Sequence, residues 1–269
     1  MVNVIDRETT LCISLAARPS NHGVRFHNWL YAELGLNFVY KAVAPSNIEQ
    51  AVAGIRGLNI RGAGVSMPYK SAVIPLLDEL HPSAERLESV NTIVNTDGHL
   101  LGMNTDYIAV ATLLEQHQVC TDWHVALRGS GGMASAVVAA LADAGMHGTV
   151  VSRNAETGAA LAAKYGWEFS SDVPGGANML VNTTPLGMHG PDADVQAFSD
   201  DQIQNASCVF DVVAYPVHTP LIAAADRFHV PSIHGGEVIA LQAAEQFAVY
   251  TGVRPTEAQV LAAEEYAQD

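Results

Sequence analysis

The sequence predicts an α/β protein of two domains, the first built on a mainly parallel sheet. Strand-like apolar runs alternate with helix-like stretches over the first hundred residues, the alternation restarts near residue 106, and two helical stretches close the chain. Strands separated by single helices imply right-handed crossovers, hence parallel neighbours. At 269 residues the chain can bury two modest cores.

Thr10 to Ala16 and Asn37 to Ala44 are apolar and β-prone. Between them, Phe26, Leu30 and Leu34 recur at near-helical spacing, which predicts a helix over Val24 to Leu36. Ser46-Asn47-Ile48-Glu49 has the form of a capping box, with the Ser46 hydroxyl expected to accept from the amide three residues on. Arg61 to Met67 reads as a further strand stopped by Pro68. From Asp106 the order is a helix over Tyr107 to Gln116, a strand over His124 to Arg128, a glycine-rich turn, a helix over Met133 to Ala144 and a strand over Thr149 to Ser152. Helices over Glu237 to Thr251 and Thr256 to Ala267 follow, broken by Gly252 and Pro255. There is no internal repeat. No linker composition marks residue 105, so the boundary rests on the restart alone.

The 49% hydrophobic and 15% charged content suits a folded chain. No apolar run of about 18 residues predicts a membrane span, and the N-terminal residues lack a signal-peptide core. Cys12, Cys120 and Cys208 are far apart and in no CxxC arrangement, which fits reduced thiols in a cytoplasm. A net charge of −15 argues against a nucleic-acid partner. The His, Cys and acid spacings offer no metal set. Ser14, Ser20 and Ser135 stand in no GxSxG-like context, so nucleophilic catalysis has no support.

Gly129-Ser130-Gly131-Gly132-Met133-Ala134 follows a predicted strand and opens a predicted helix. Alone the string is as well read as an ordinary glycine turn. In this context the turn lets backbone amides approach a pyrophosphate at a helix N-terminus, so residues 106–236 are expected to form a Rossmann-type dinucleotide-binding domain. The next strand runs into Ser152-Arg153-Asn154 with no acid at its tip. A carboxylate there would receive the ribose 2′-OH of NAD, whereas the Arg153 guanidinium suits a 2′-phosphate and points to NADP. A solvated loop cation is the bland reading of Arg153.

Three polar motifs of the first hundred residues follow apolar segments and are expected at one edge of a sheet: Val65-Ser66-Met67-Pro68-Tyr69-Lys70, Ser89-Val90-Asn91-Thr92 and Gly102-Met103-Asn104-Thr105-Asp106. Ketone reduction needs a proton as well as a hydride, and a lysine oriented by a carboxylate can give it. Lys70 and Asp106 are such a pair of residue types, although each taken singly reads as a surface charge.

These motifs resemble those of the shikimate dehydrogenases. Val65 to Lys70 is similar to Asn-Val-Thr-x-Pro-His-Lys, Ser89 to Thr92 to Ala-Val-Asn-Thr, and Gly102 to Asp106 to Gly-x-Asn-Thr-Asp. Gly129 to Ala134 resembles the family's Gly-x-Gly-Gly turn, Ser152-Arg153-Asn154 its Asn-Arg-Thr clamp, and Asn182 to Met188 its Asn-Ala-Thr-Ser-x-Gly-Met. Asp211 to Pro220 and Gly235 to Phe247 resemble two later segments, so the resemblance covers nearly the whole chain. It implies a substrate domain of residues 1–105 plus 237–269, the C-terminal helices returning to it, and an NADP domain of residues 106–236. It implies Lys70 and Asp106 as the catalytic pair, and Ser20, Asn21, Ser66, Asn91 and Gln242 as substrate contacts. The cofactor contacts it implies are Gly129, Ser130, Gly131, Gly132, Met133, Ser152, Arg153, Asn154, Thr184, Val213 and Gly235. The expected substrate is shikimate or a close cyclic hydroxy acid such as quinate or an aminoshikimate, and the expected protein is a cytoplasmic monomer or homodimer. An NADP-binding regulatory protein is the alternative of another class, and a retained proton donor weighs against it.

The departures lie on the substrate side. The family's Ser-x-Ser-Pro before a helical His-Asn falls at Asn21 and Gly23 when anchored on His27, or at Ser20 and His22 when anchored on Ser20. At least one carboxylate-binding hydroxyl is therefore missing, a loss on the order of 1–3 kcal/mol unless another donor replaces it. The family's Asn, Thr and His of the lysine motif are Gly64, Ser66 and Tyr69, and its late Tyr is Ala214 with Tyr215 one place on. These changes predict a divergent member with weak shikimate turnover or a shifted substrate. His27, beside Phe26 and Leu30, is expected to pack rather than bind a ligand.

Overall fold

A computed structural model describes residues 5–268, and the chain divides into two compact units, residues 1–105 with 240–269 and residues 106–239. The first unit opens with β1 (Thr10–Leu15), α1 (His22–Glu33), β2 (Phe38–Val43), α2 (Ile48–Gly57) and β3 (Gly62–Val65). It continues with β4 (Glu79–Leu80), α3 (Pro82–Leu87), β5 (Thr92–Thr96) and β6 (His99–Met103). Its sheet has the order β2-β1-β3-β5-β6-β4. Every strand runs the same way except β5, which pairs antiparallel with β3 and β6. Ile13, Leu15, Val52, Ile55, Ala63, Val65 and Ile93 form the core between this sheet and α2.

The reversed strand corrects the expected placement of one motif. Ser89-Val90-Asn91-Thr92 follows α3 rather than a strand and leads into β5. Because β5 is antiparallel, its beginning lies where its neighbours end: Thr92 is opposite Gly64 of β3 and Met103 of β6. One sheet edge thus receives all three polar motifs by a different route. The helix cap also differs from expectation. Asn47, not Ser46, is the N-cap of α2, its side chain accepting from the Gln50 amide at 2.8 Å. Asparagine caps as well as serine does, so the register of the first turn decides between adjacent candidates.

The second unit starts within α4 (Thr105–Gln116) and holds β7 (His124–Arg128), α5 (Gly132–Asp143), β8 (His147–Val151), α6 (Ala155–Tyr165) and β9 (Glu168–Ser170). After these come β10 (Met179–Asn182), α7 (Asp200–Gln204), β11 (Cys208–Asp211), α8 (Pro220–Phe228) and β12 (Ser232–His234). Its sheet is parallel throughout, with the order β12-β11-β10-β7-β8-β9. The chain works outward from β7 in one direction and then in the other, which makes this a doubly wound sheet with its switch point between β7 and β10. Two helices close the chain, α9 (Gly235–Thr251) and α10 (Glu257–Gln268), and α10 packs on α1 within the first unit. Among the described residues no helix is long and apolar enough to cross a membrane.

Candidate functional site

The glycine-rich turn stands at the carboxyl end of β7. Gly129 has φ of +126°, and a Cβ there would lie 2.2 Å from the Thr183 hydroxyl, so only glycine fits. Gly131 is the N-cap of α5, which Gly132 begins, leaving backbone amides at a helix start. Beside the turn, a cavity of about 890 Å³ is lined by Gly129, Ser130, Ser152, Arg153, Asn154 and Thr184, six of the residues expected to hold a cofactor. Gly131, Gly132, Met133, Val213 and Gly235 are not on its wall. The last two lie together elsewhere in the unit, where a Cβ on Gly235 would meet the Val213 backbone at 2.4 Å.

A hydroxyl network shapes this wall. The Ser130 hydroxyl lies 3.0 Å from that of Ser152 and 2.7 Å from that of Thr157. Asn154 caps α6 by accepting from the Thr157 amide, so its side chain has a structural task. Arg153 is exposed on the loop between them. Thr184 donates to Asn182 Oδ1 at 2.6 Å. Asn182 in turn donates to the buried carboxylate of Asp211, which also accepts from Thr219 Oγ1 at 2.6 Å. Burial pushes the Asp211 carboxyl pKa up, opposed by the bonds from Thr219, Val213 and Asn182. Sequence reasoning passed over Arg128, Ser171, Leu186 and Asp192, which also line the cavity. Arg128 was legible as the residue just before the first glycine.

In the first unit the polar groups gather at the edge made by β3, β5 and β6. The Asn91 backbone ties the strands together, accepting from Val65 N at 2.7 Å and donating to Met103 O at 3.0 Å. Its Oδ1 accepts from the amide and hydroxyl of Thr105 and from the Thr92 hydroxyl. Its Nδ2 is buried without an acceptor among the described residues, a donor available to a ligand oxygen. Ser66 is exposed just beyond β3, and Lys70, half-buried, ends the turn that follows the cis Met67–Pro68 bond. The Lys70 carbonyl accepts from Val90 N at 2.8 Å, which joins the lysine turn to the Asn91 motif. Asp106 lies in the first turn of α4 in the second unit.

Gln242 is half-buried on α9, and Gln246 one turn on is the residue that engages the edge. Gln246 Nε2 donates to Thr92 Oγ1 at 2.9 Å and to Asn91 O at 3.2 Å. The i, i+4 spacing puts both glutamines on one helix face, a signal present in the sequence. Ser20 and Asn21 are exposed; Asn21 is the N-cap of α1 and makes no side-chain cap bond. Tyr40 borders both glycines that stand where family side chains are expected, but crowds only Gly64. A Cβ on Gly23 would meet Tyr40 Cε1 at 3.6 Å, and one on Gly64 would lie 2.8 Å from the Tyr40 hydroxyl. His27 is buried and stacked on Tyr40 at 4.3 Å between ring centroids, so it packs. Among the described residues no group of His, Cys, Asp or Glu is disposed to hold a metal ion.

A doubly wound parallel sheet with a glycine turn opening a helix at its carboxyl edge defines a Rossmann-type, dinucleotide-binding unit. Residues 21–93 match the family description "Shikimate dehydrogenase substrate binding domain". The chain is 47% identical over 268 residues to the shikimate dehydrogenase-like protein of Haemophilus influenzae, covering 98% of this chain and 99% of that one. It is 33% identical over 251 residues to a shikimate dehydrogenase (NADP(+)) of Dehalococcoides mccartyi, covering 87% of each. A solved shikimate 5-dehydrogenase-like protein matches with a TM-score of 0.97 at 47% identity, covering 99% of this chain and all 100% of that one. The chain belongs to the shikimate dehydrogenase family and is an oxidoreductase.

Proposed function

We propose that this protein interconverts a cyclic hydroxy acid, shikimate or a close analogue, and its ketone with NADP as the hydride carrier. The observation that carries the reading is the cavity where Gly129, Ser130, Ser152, Arg153, Asn154 and Thr184 meet at the carboxyl edge of the doubly wound sheet. Its donor set fits the cofactor: a turn open to a pyrophosphate, no carboxylate at the tip of β8, and the Arg153 guanidinium there for a 2′-phosphate. When bound, NADP supplies or accepts the hydride. In this reading residues 106–239 hold the cofactor and residues 1–105 with 240–269 hold the substrate.

Lys70 gives the proton to the developing alkoxide in the reducing direction and takes it back in oxidation. Asp106, in the first turn of α4, is the partner that the family's Gly-x-Asn-Thr-Asp motif implies for it. Asn91 offers its spare Nδ2 donor to a substrate oxygen, and Ser66 and Gln242 contribute hydroxyl and amide groups. The crowding of Gly64 by Tyr40 supports a substrate shifted from shikimate or turned over weakly.

The test is NADP+ reduction across shikimate, quinate and related hydroxy acids, with NAD+ as control. We expect turnover with at least one acid, kcat/KM for shikimate below that of a biosynthetic shikimate dehydrogenase, and a preference for NADP+. Lys70→Ala should lose turnover by about three or more orders of magnitude, given the share of catalysis carried by a positioned proton donor, while NADPH binding persists. Binding of NADPH with no turnover of any acid would favour a regulatory NADP-binding protein instead.

A further inference from the structure

The cavity holds a cation that the expected cofactor residues do not include. Arg128 is the last residue of β7, directly before Gly129. It pairs in register with Val151 of β8 on one side and Asn182 of β10 on the other, which puts it at the switch point of the sheet. Ligands of doubly wound sheets bind outside the carboxyl ends at that point. By strand alternation Arg128 faces the same side as Ala126, a member of the core that contains Phe198. Its guanidinium lies over the Phe198 ring, 5.3 Å from the centroid.

The packing leaves this cation incomplete. Among the described residues its buried Nε has no acceptor and no carboxylate pairs with it. Burial alone pushes the guanidinium pKa down. A half-buried charge without a counter-charge is costly unless an anion completes it. One π-face already rests on Phe198, so the unused chemistry is in the N–H donors, which call for oxygen acceptors rather than a stacked ring. Arg128 and Arg153 line one cavity, and the carboxylate on that wall, Asp192, is exposed.

We propose that Arg128 is a second specificity-determining residue for the phosphorylated dinucleotide, donating to the 2′-phosphate together with Arg153. The proposal rests on the reading of this cavity as the dinucleotide site. Preference for the phosphorylated cofactor then survives, in part, the loss of Arg153.

The full chain is compared with R128M, which keeps an unbranched apolar stem over Phe198, with R128K, with R153A and with the R128M/R153A pair. Calorimetry reads the affinities for NADPH, NADH, 2′,5′-ADP and 5′-AMP, and thermal melts verify that each variant is folded. R128M should weaken NADPH and 2′,5′-ADP by about tenfold to a hundredfold, the range for hydrogen bonds to a charged group. NADH and 5′-AMP should change by less than about twofold, well below one such bond. R128K should fall between, and the pair should erase the preference that R153A leaves. Equal weakening of NADPH and NADH by R128M, or no change in either, would overturn the proposal while leaving the cavity reading intact. If R128M does not fold, R128K decides by the same ratio. A wild-type protein that binds neither NADPH nor 2′,5′-ADP would overturn the cavity reading and this proposal with it.

Discussion

Acidification from pH 7 to pH 5 should destabilise the first unit through one residue, His27. Its imidazole is 1% exposed and stacked on Tyr40, and its Nδ1 has no hydrogen-bond partner among the described residues. Burial, the largest cause, drives its pKa from 6.5 to about 3; an interaction with Gln246 opposes this and the charge of His22 adds to it. A depressed folded-state value means the neutral ring is the stable form, so the contribution is fully present above the unfolded pKa of 6.5. It is lost as pH falls through 6.5 toward 3. Each pH unit below 6.5 removes about 1.4 kcal/mol, and the loss between pH 7 and pH 5 comes to about 2 kcal/mol. Since the folded-state value lies far below 5, the unfolded histidine alone sets this figure. Urea unfolding at pH 7, 6 and 5, followed by far-UV circular dichroism, measures it in the wild type and in His27→Phe. Phenylalanine keeps a ring in the stack but cannot titrate. Asp6 and Asp78, held below the ordinary carboxylate range by their hydrogen bonds, titrate outside this window. Asp211, raised by burial, acts in the opposite sense and cancels in the comparison. The wild type should lose about 2 kcal/mol more than the variant over this range. Identical slopes would refute the assignment.

Two glycines give further tests. Gly129→Ala must hold an L-residue at φ of +126° and push the Thr183 hydroxyl away from the Arg128 carbonyl, which it reaches at 2.8 Å. The strain and the lost bond together should cost about 2–4 kcal/mol in chemical denaturation, with NADPH affinity reduced as well. Thr183→Ala in the same chain should recover only the steric part, and a Gly129→Ala protein of wild-type stability would contradict the turn geometry. Gly64→Ala sets a Cβ 2.8 Å from the buried Tyr40 hydroxyl and should cost about 1–3 kcal/mol as overpacking. Tyr40→Phe removes the clashing atom and should restore most of that loss, so absence of rescue would refute the contact.

Where the sequence carried a clear period, as in β1, β2, β7, α4, α5 and the two closing helices, it placed the element within a residue or two. Leu11 to Leu15 alternates between faces of a buried strand, and Phe26, Leu30 and Leu34 repeat along a helix, so the local pattern carries the answer. The elements between residues 154 and 235 were given no range, and the strands β4, β5 and β6 were not legible in that way either. They are short, they sit among polar motifs, and β5 owes its direction to its pairing with β3 and β6. In the site, Lys70, Asn91, Gly129 and Arg153 announced themselves by motif. Gln246 and Arg128 carried only positional signals, one turn past Gln242 and just before Gly129, and neither position assigns a role until the neighbours are known.

The sequence by itself determined the class: alternating elements, a glycine turn between strand and helix, and an arginine where an acid would select NAD. These are local features, fixed by residue type and spacing. Only the tertiary structure decided that the Asn91 motif reaches the shared edge through a reversed strand and that Gln246 rather than Gln242 bonds to that edge. It alone also decided that Tyr40 crowds Gly64, and that Arg128 Nε at the switch point has no acceptor among the described residues. Each depends on residues far apart in the chain, whose approach is set by sheet order and packing, and no spacing along one sequence encodes that distance.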